Sequence, residues 1–188
     1  MADATVRPAE PTDADEIARI QVDTWRAAYA DLLPAAILDG LDAAEAALTW
    51  RQTIEQGPAQ VFVAHEGDWL VGFCAAGPAP EDETAAADGS PAKDSATVAL
   101  VSTVLVEPRW GRRGHGGRLL AHAGQAMRDA GSTRGIAWVP EPDKATLGFY
   151  ERARWVADGT VRTLDAGGRP LREVRLTGSL RIELVSPT

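Results

Sequence analysis

Hydrophobic residues in this chain follow two kinds of spacing, and the alternation between them predicts the order of its helices and strands. Short runs rich in β-branched residues predict strands at 4–9, 60–65, 69–76, 96–106, 136–139, 155–164 and 171–176. Apolar residues three or four positions apart predict helices that begin at Thr12 or Asp13, Pro34, Ala43, Gly114 and Pro142. Both kinds of element within 188 residues predict a single domain, 1–188, of the α+β or three-layer α/β class.

One segment, residues 77–95, has almost no large apolar side chain. It is rich in Pro, Ala, Asp, Glu, Gly and Ser. Such a composition buries too little apolar surface to offset the entropy lost on ordering. We therefore predict a mobile loop between the third and fourth strands.

The formal net charge of −8 narrows the choice of partners. An acidic chain binds phosphate backbones poorly, which disfavours nucleic acid, but it suits a small cationic substrate.

No apolar run approaches the roughly 18 residues of a spanning helix, and residues 1–10 lack a signal-peptide pattern. Cys74 is the only cysteine, and the three histidines show no metal-ligand spacing. These features predict a cytoplasmic protein that binds no metal, membrane or nucleic acid.

A basic cluster stands out against this acidic background. Four arginines fall within ten residues: Arg109, Arg112, Arg113 and Arg118. They surround a Gly-rich turn between a predicted strand and a predicted helix. Glycines let the backbone approach a ligand, and a helix start presents free N–H groups to an anion. This combination predicts a pyrophosphate site.

Two common phosphate-binding loops do not fit this turn. A Walker A loop needs Gly-Lys-Ser/Thr, and the turn contains no Lys. A dinucleotide-binding turn needs a third Gly, where Leu119 stands, and it follows the first strand of its sheet, not the fourth. A Gly-rich connection with a basic rim and no ligand is the alternative that the residues leave open.

The same stretch resembles the central motif of the GNAT family of N-acetyltransferases. The matching residues are Val104, Val106, Pro108, Gly114-His115-Gly116 and Leu119-Leu120. Gly111 stands where the family has Arg or Gln, so Arg112 or Arg113 would supply that charge from a neighbouring position.

The resemblance implies a fold, a co-substrate and its binding residues. It implies a mixed, mostly antiparallel central sheet with splayed central strands, flanked by helices, and acetyl-CoA as co-substrate without a metal. The pantetheine arm and the acetyl carbonyl would contact Val104, Leu105 and Val106. The residues that would hold the phosphates are Arg112, Arg113, Gly114, His115, Gly116 and Gly117.

A second stretch, 143–155, resembles the motif on the last helix of the same family. Phe149-Tyr150-Glu151-Arg152 match, whereas Asp143 replaces Asn and Arg154-Trp155 replaces Gly-Phe. The resemblance places Asp143 beside the coenzyme and makes Tyr150 the acid that protonates the departing thiolate. Packing of Tyr150 beside Phe149 is the structural alternative.

The remaining candidate residues concern the general base and the pocket for the amine acceptor. Glu107, just past the central strand, is a candidate general base, or else a solvated strand-end residue. Trp25, Tyr29 and Asp31 lie in a segment that resembles bacterial members and are candidates for the acceptor pocket. The resemblance thus implies acetyl transfer to a primary amine of a small molecule or peptide. A homodimer is possible, since two-fold dimers are the commonest assembly. The alternative is a non-enzymatic regulatory domain that binds acyl-CoA.

Overall fold

Seven strands form one mixed sheet in a computed structural model that describes residues 4–183. The strands are β1 (Ala4–Pro8), β2 (Gln60–Glu66), β3 (Trp69–Pro78), β4 (Val98–Val106), β5 (Arg134–Pro140), β6 (Val156–Ala166) and β7 (Arg169–Gly178). They lie in the order β1-β2-β3-β4-β5-β7-β6. The β4–β5 pair is parallel, and the other neighbouring pairs are antiparallel.

Helices flank this sheet on both faces. They are α1 (Ala14–Ala28), α2 (Ala35–Asp39), α3 (Ala43–Gln56), α4 (Glu81–Thr84), α5 (His115–Asp129) and α6 (Lys144–Arg152). Apart from the single turn of α4, the order of elements is the one that the hydrophobic pattern predicts. The α+β class with a mostly antiparallel mixed sheet is therefore confirmed.

The two central strands separate after a short stretch of pairing. Residues 98–100 of β4 pair with residues 134–136 of β5, and the strands then continue apart to Val106 and Pro140. A β-bulge accompanies this separation, because Ala75 faces Thr103 whereas Ala76 faces Val101. A bulge bends the strand that carries it. The predicted splay is thus confirmed, and it leaves a cleft between β4 and β5.

Each face of the sheet has its own core. On one face, α5 contributes Leu119, Leu120 and Met127, all at most 2% exposed, and α6 contributes Tyr150. On the other face, Ile17 of α1 packs against β2 and β3. Because the bulge reverses the alternation of β4, its residues 99, 101, 104 and 106 all pack in the α5 core, whereas 105 packs in the α1 core.

The segment 77–95, predicted as a mobile loop, contains α4 and makes contacts to the sheet. Arg175 of β7 donates hydrogen bonds to the carbonyls of Glu83 and Ala85, both at 2.7 Å. Arg134 of β5 binds the carboxylate of Asp94 at 2.6 Å. These contacts tie both halves of the segment to strands, and its mobility stays a prediction.

Candidate active site

The Gly-rich turn connects the carboxyl end of β4 to α5. Arg112 and Gly114 both adopt left-handed backbone conformations, with φ of +62° and +83°. Helix α5 begins at His115, and its first intrahelical bond runs from the N–H of Arg118 to the carbonyl of Gly114 at 3.0 Å. The N–H groups of residues 115–117 therefore have no acceptor within the helix. Free N–H groups at the positive end of the helix dipole form an anion site.

Two of the four arginines at this turn are neutralised by carboxylates. Arg109 binds Glu107 at 2.8 Å, and Arg113 binds Glu66 at 2.7 Å. Within residues 4–183, neither Arg112 nor Arg118 forms an ion pair. Arg118 lies over the turn, where its guanidinium donates to the Arg113 carbonyl at 3.0 Å. The uncompensated positive charge at the turn thus belongs to Arg112 and Arg118.

Glu66 is a site residue that the sequence did not identify. Its carboxylate lies 2.7 Å from both the His115 Nε2 and the Arg113 guanidinium. The hydrogen bonds from His115 and Arg113 lower the pKa of Glu66 below its usual value. No local pattern links positions 47 and 49 residues apart. Because Glu66 engages Nε2 of the buried His115 ring, this nitrogen is not available to an anion, whereas the backbone N–H of His115 is.

Tyr150 lies on α6 and is 3% exposed. Its ring packs between Phe149 and Trp155, with both centroid distances at 5.1 Å. Among the described residues, the hydroxyl makes no side-chain hydrogen bond. Burial, reinforced by the neighbouring Cys74 and Tyr29, raises the pKa of Tyr150 well above its usual range. The phenol is therefore protonated at physiological pH, as an acid must be before it donates.

Asp143 forms the amino-terminal cap of α6. Its carboxylate accepts hydrogen bonds from the Thr146 N–H at 3.0 Å and the Thr146 hydroxyl at 2.7 Å. The Tyr29 hydroxyl donates to the same carboxylate at 3.3 Å. The structure thus brings together two predicted site residues 114 positions apart. A direct contact between Asp143 and the coenzyme stays a prediction.

Of the other two acceptor candidates, one joins this arrangement. The Trp25 ring packs edge-on against Tyr29, with centroids 5.8 Å apart. Asp31 is exposed on the connection between α1 and α2. Tyr29, supported by Trp25, is therefore the acceptor candidate that reaches the start of α6.

Glu107 follows β4, and its carboxylate is engaged by two arginines. Arg19 of α1 lies 3.1 Å from one oxygen, and Arg109 lies 2.8 Å from the other. Burial raises the pKa of Glu107, but the hydrogen bonds from Arg109 and Arg19 outweigh it, and the net pKa lies below the usual value. A carboxylate with a lowered pKa is a weaker proton acceptor. Its surroundings thus favour a structural role for Glu107, and its role as general base stays an untested prediction.

The variant Glu107→Gln separates these two roles. Because the folded-state pKa is lowered, the ionised carboxylate stabilises the fold above its unfolded pKa, and this stability is lost as pH falls through the folded pKa. We expect the variant to be less stable than the parent by about 1 kcal/mol at pH 7, with the difference vanishing at a pH below both the folded-state and the unfolded-state pKa of this carboxyl. Urea denaturation at both pH values measures this. We expect most activity to be retained, whereas a loss of about 100-fold or more would identify a base.

Within 4–183, no group of three or more His, Cys, Asp or Glu side chains is arranged to hold a metal ion. None of the helices in this range has the length and apolar character needed to cross a membrane.

Comparison with known proteins identifies the family. The model of the acetyltransferase (GNAT) family matches residues 15–154. An uncharacterized N-acetyltransferase of Bacillus subtilis is 31% identical over 148 residues, which cover 78% of this chain and 77% of that protein.

Solved structures share the fold. An N-acetyltransferase from Staphylococcus aureus superposes with a TM-score of 0.72 at 15% identity, over 95% of this chain and 99% of that one. The protein yncA from Salmonella typhimurium, solved with its cofactor acetyl-CoA, superposes with a TM-score of 0.70 at 16% identity, over 100% of this chain and 99% of that one. The chain therefore belongs to the GNAT family, as an acetyl-CoA-dependent N-acetyltransferase.

Proposed function

We propose that this protein transfers the acetyl group of acetyl-CoA directly to a primary amine bound in the cleft between β4 and β5. The observation that carries this proposal is the separation of these strands beyond Leu100 and Ile136. The free amino end of α5 lies at the carboxyl end of β4, and Tyr150 is buried in the core beneath that strand. A cleft with an anion site at its edge and a phenol beside it suits a long phosphorylated thioester.

The coenzyme would be held mainly by backbone groups. Among the described strands, none pairs with the edge of β4 that faces the cleft over residues 101–106, so the N–H and C=O groups of this edge would be available to the pantetheine arm. The N–H groups of His115, Gly116 and Gly117 would bind the pyrophosphate, with charge added by Arg112 and Arg118. Arg113 is the weaker candidate, because Glu66 already neutralises it.

The chemistry needs three proton movements: two protons leave the nitrogen and one reaches the sulfur. The amine must be neutral to attack, so its proton leaves to water or to a carboxylate before the nitrogen bonds to the acetyl carbon. A backbone N–H of β4 near Leu105 or Val106 would stabilise the negative oxygen that develops. When the carbon–sulfur bond breaks, the nitrogen, positively charged after the attack, would release its extra proton to water. Tyr150 would protonate the departing thiolate and recover its own proton from solvent.

Arg112 provides a test of coenzyme binding with an internal control. Arg112 and Arg154 both have φ of +62°, a conformation that glycine adopts without strain. We expect Arg112→Gly and Arg154→Gly each to leave the free energy of unfolding unchanged or to raise it by up to about 1 kcal/mol. Arg112→Gly alone should weaken CoA binding, by about tenfold.

Titration calorimetry with CoA measures the affinities, and urea denaturation measures the stabilities. Arg154→Gly is the matched control, since it makes the same change at the same backbone conformation after α6. Equal CoA affinities for the two variants would contradict a role for Arg112 in phosphate binding.

Activity itself is tested by thiol release from acetyl-CoA in the presence of a broad panel of amines. Transfer to at least one amine supports the proposal. Tight CoA binding with no transfer to any amine would favour the alternative, a regulatory domain that binds acyl-CoA without catalysis. The acceptor, a cytoplasmic location and a two-fold dimer stay predictions.

A further inference from the structure

A cavity of about 300 Å³ lies between the segment that carries α4 and strands β5, β6 and β7. Its polar lining comes from Asp82, Glu83, Trp138, Thr160, Arg162 and Arg175. Trp138 lies two residues past Ile136, where β5 has already separated from β4. It packs outside the α5 core, whereas its neighbours Ala137 and Val139 belong to that core. The cavity therefore lies on the face opposite α5 and α6, beside the part of β5 that has separated from β4.

The two arginines of this cavity are already neutralised. Arg162 binds Glu173 at 2.6 Å, and Arg175 binds Asp158 at 2.7 Å. Arg162 also covers the Trp138 ring, with its guanidinium carbon 4.3 Å from the centroid. Each arginine thus has a close carboxylate partner outside the cavity lining, so neither balances a carboxylate of the cavity wall in full.

Two carboxylates of α4 are left with negative charge. Glu83 accepts a hydrogen bond from the Trp138 indole N–H at 2.9 Å, and its contact to Arg162 is a long 3.5 Å. Asp82 is exposed and forms no ion pair within residues 4–183. The cavity wall therefore has a net negative charge once each arginine is assigned to its own carboxylate.

An unpartnered hydroxyl completes the lining. Thr160 Oγ1 is buried and has no hydrogen-bond partner among the described residues. A buried hydroxyl without a hydrogen-bond partner destabilises the folded protein, and a bound ligand that supplies a partner removes this cost. An ammonium group carries three N–H donors, and this cavity offers three acceptors: the Asp82 carboxylate, the Glu83 carboxylate and the Thr160 hydroxyl.

We propose that this cavity binds a second ammonium group of the acceptor, so that the preferred acceptors are small molecules with two or more amino groups. The inference rests on the proposed function. The reacting nitrogen must be neutral, whereas a carboxylate-lined cavity favours a charged amine, so the cavity serves the nitrogen that does not react. It would orient the acceptor by its distant end and leave the other amine free to reach the cleft.

The test compares two amines of the same length without coenzyme present. Titration calorimetry should show that 1,4-diaminobutane binds about tenfold more tightly than 1-aminobutane. Asp82→Asn and Glu83→Gln should each remove most of that preference, and Thr160→Val should reduce it. The Gln side chain keeps an acceptor for the Trp138 indole, so Glu83→Gln preserves this contact.

Asp88→Asn is the matched control, because it removes one charge from the same segment outside the cavity. Equal binding of the two amines would overturn the proposal. So would equal losses from Asp82→Asn and Asp88→Asn, since these would indicate a general effect of net charge. The CoA titration is separate, so failure of the proposed function and failure of this inference give different results.

Discussion

Tyr150→Phe is expected to lower kcat for acetyl transfer by about 100- to 10,000-fold, with CoA affinity unchanged. The substitution removes the hydroxyl alone and keeps the ring between Phe149 and Trp155. Because the hydroxyl makes no side-chain hydrogen bond among the described residues, its loss should change the free energy of unfolding by less than about 1 kcal/mol. A thiol-release assay and urea denaturation measure the two effects.

The pH dependence of the parent enzyme adds a second check. Since burial raises the pKa of Tyr150, the phenol stays protonated above its ordinary pKa of about 10. We therefore expect no loss of kcat up to about pH 10 that could be assigned to Tyr150.

Tyr29→Phe is the matched control, because Tyr29 and Tyr150 are the only two tyrosines of the chain. It removes the hydrogen bond to Asp143. We expect a change mainly in KM for the amine. A Tyr150→Phe enzyme with full kcat would eliminate Tyr150 as the acid and leave it as a packing residue.

Trp155→Ala should cause the largest loss of stability, about 3 to 5 kcal/mol. Trp155 is 1% exposed, and its indole N–H donates to the Ser179 carbonyl at 3.1 Å. Its ring fills a slot between β5 and β7 that exists because residues 135 and 178 are both glycine, where a Cβ would collide with the indole. The alanine variant would leave a cavity against the Tyr150 ring, so kcat should fall as well.

Trp69→Ala is the control for Trp155→Ala, because Trp69 is 60% exposed on the β2–β3 hairpin. Its removal forfeits a contact with Arg109, worth about 1 kcal/mol or less. Trp155→Phe restores the residue type of the family motif and should lose less than Trp155→Ala. If urea denaturation gave equal losses for the two alanine variants, the indole would not support the sheet as described.

Most of the fold could be predicted because each helix or strand depends on residues that are close together in the sequence. The spacing of apolar residues depends on the geometry of one helix or strand at a time, so the order of elements matched along residues 4–178. The α4 turn was missed, since its four residues Glu81–Thr84 contain no apolar stripe. The turn is held in place by contacts with Arg175, which lies 92 positions after Glu83 in the chain.

The candidate site likewise has parts that the sequence predicts and parts that depend on residues distant in the chain. The turn at Gly114 could be predicted because glycine and a helix start have local signatures. The sequence could not choose between Arg112 and Arg113, because the choice depends on Glu66 in another strand. Glu107 looked like a free carboxylate because Arg19, 88 positions earlier, is brought to it by packing of α1.

The sequence by itself determined the class of fold, the Gly-rich turn that precedes a helix and the position of Tyr150 on its helix. Each follows from residues close in the chain, whose backbone conformations and periodicity have local causes. The tertiary structure decided which charges are neutralised, how far β4 and β5 separate, and which side chains line the cavity beside α4. Those outcomes depend on side chains distant in sequence that meet only when the sheet has formed, and no local pattern records such meetings.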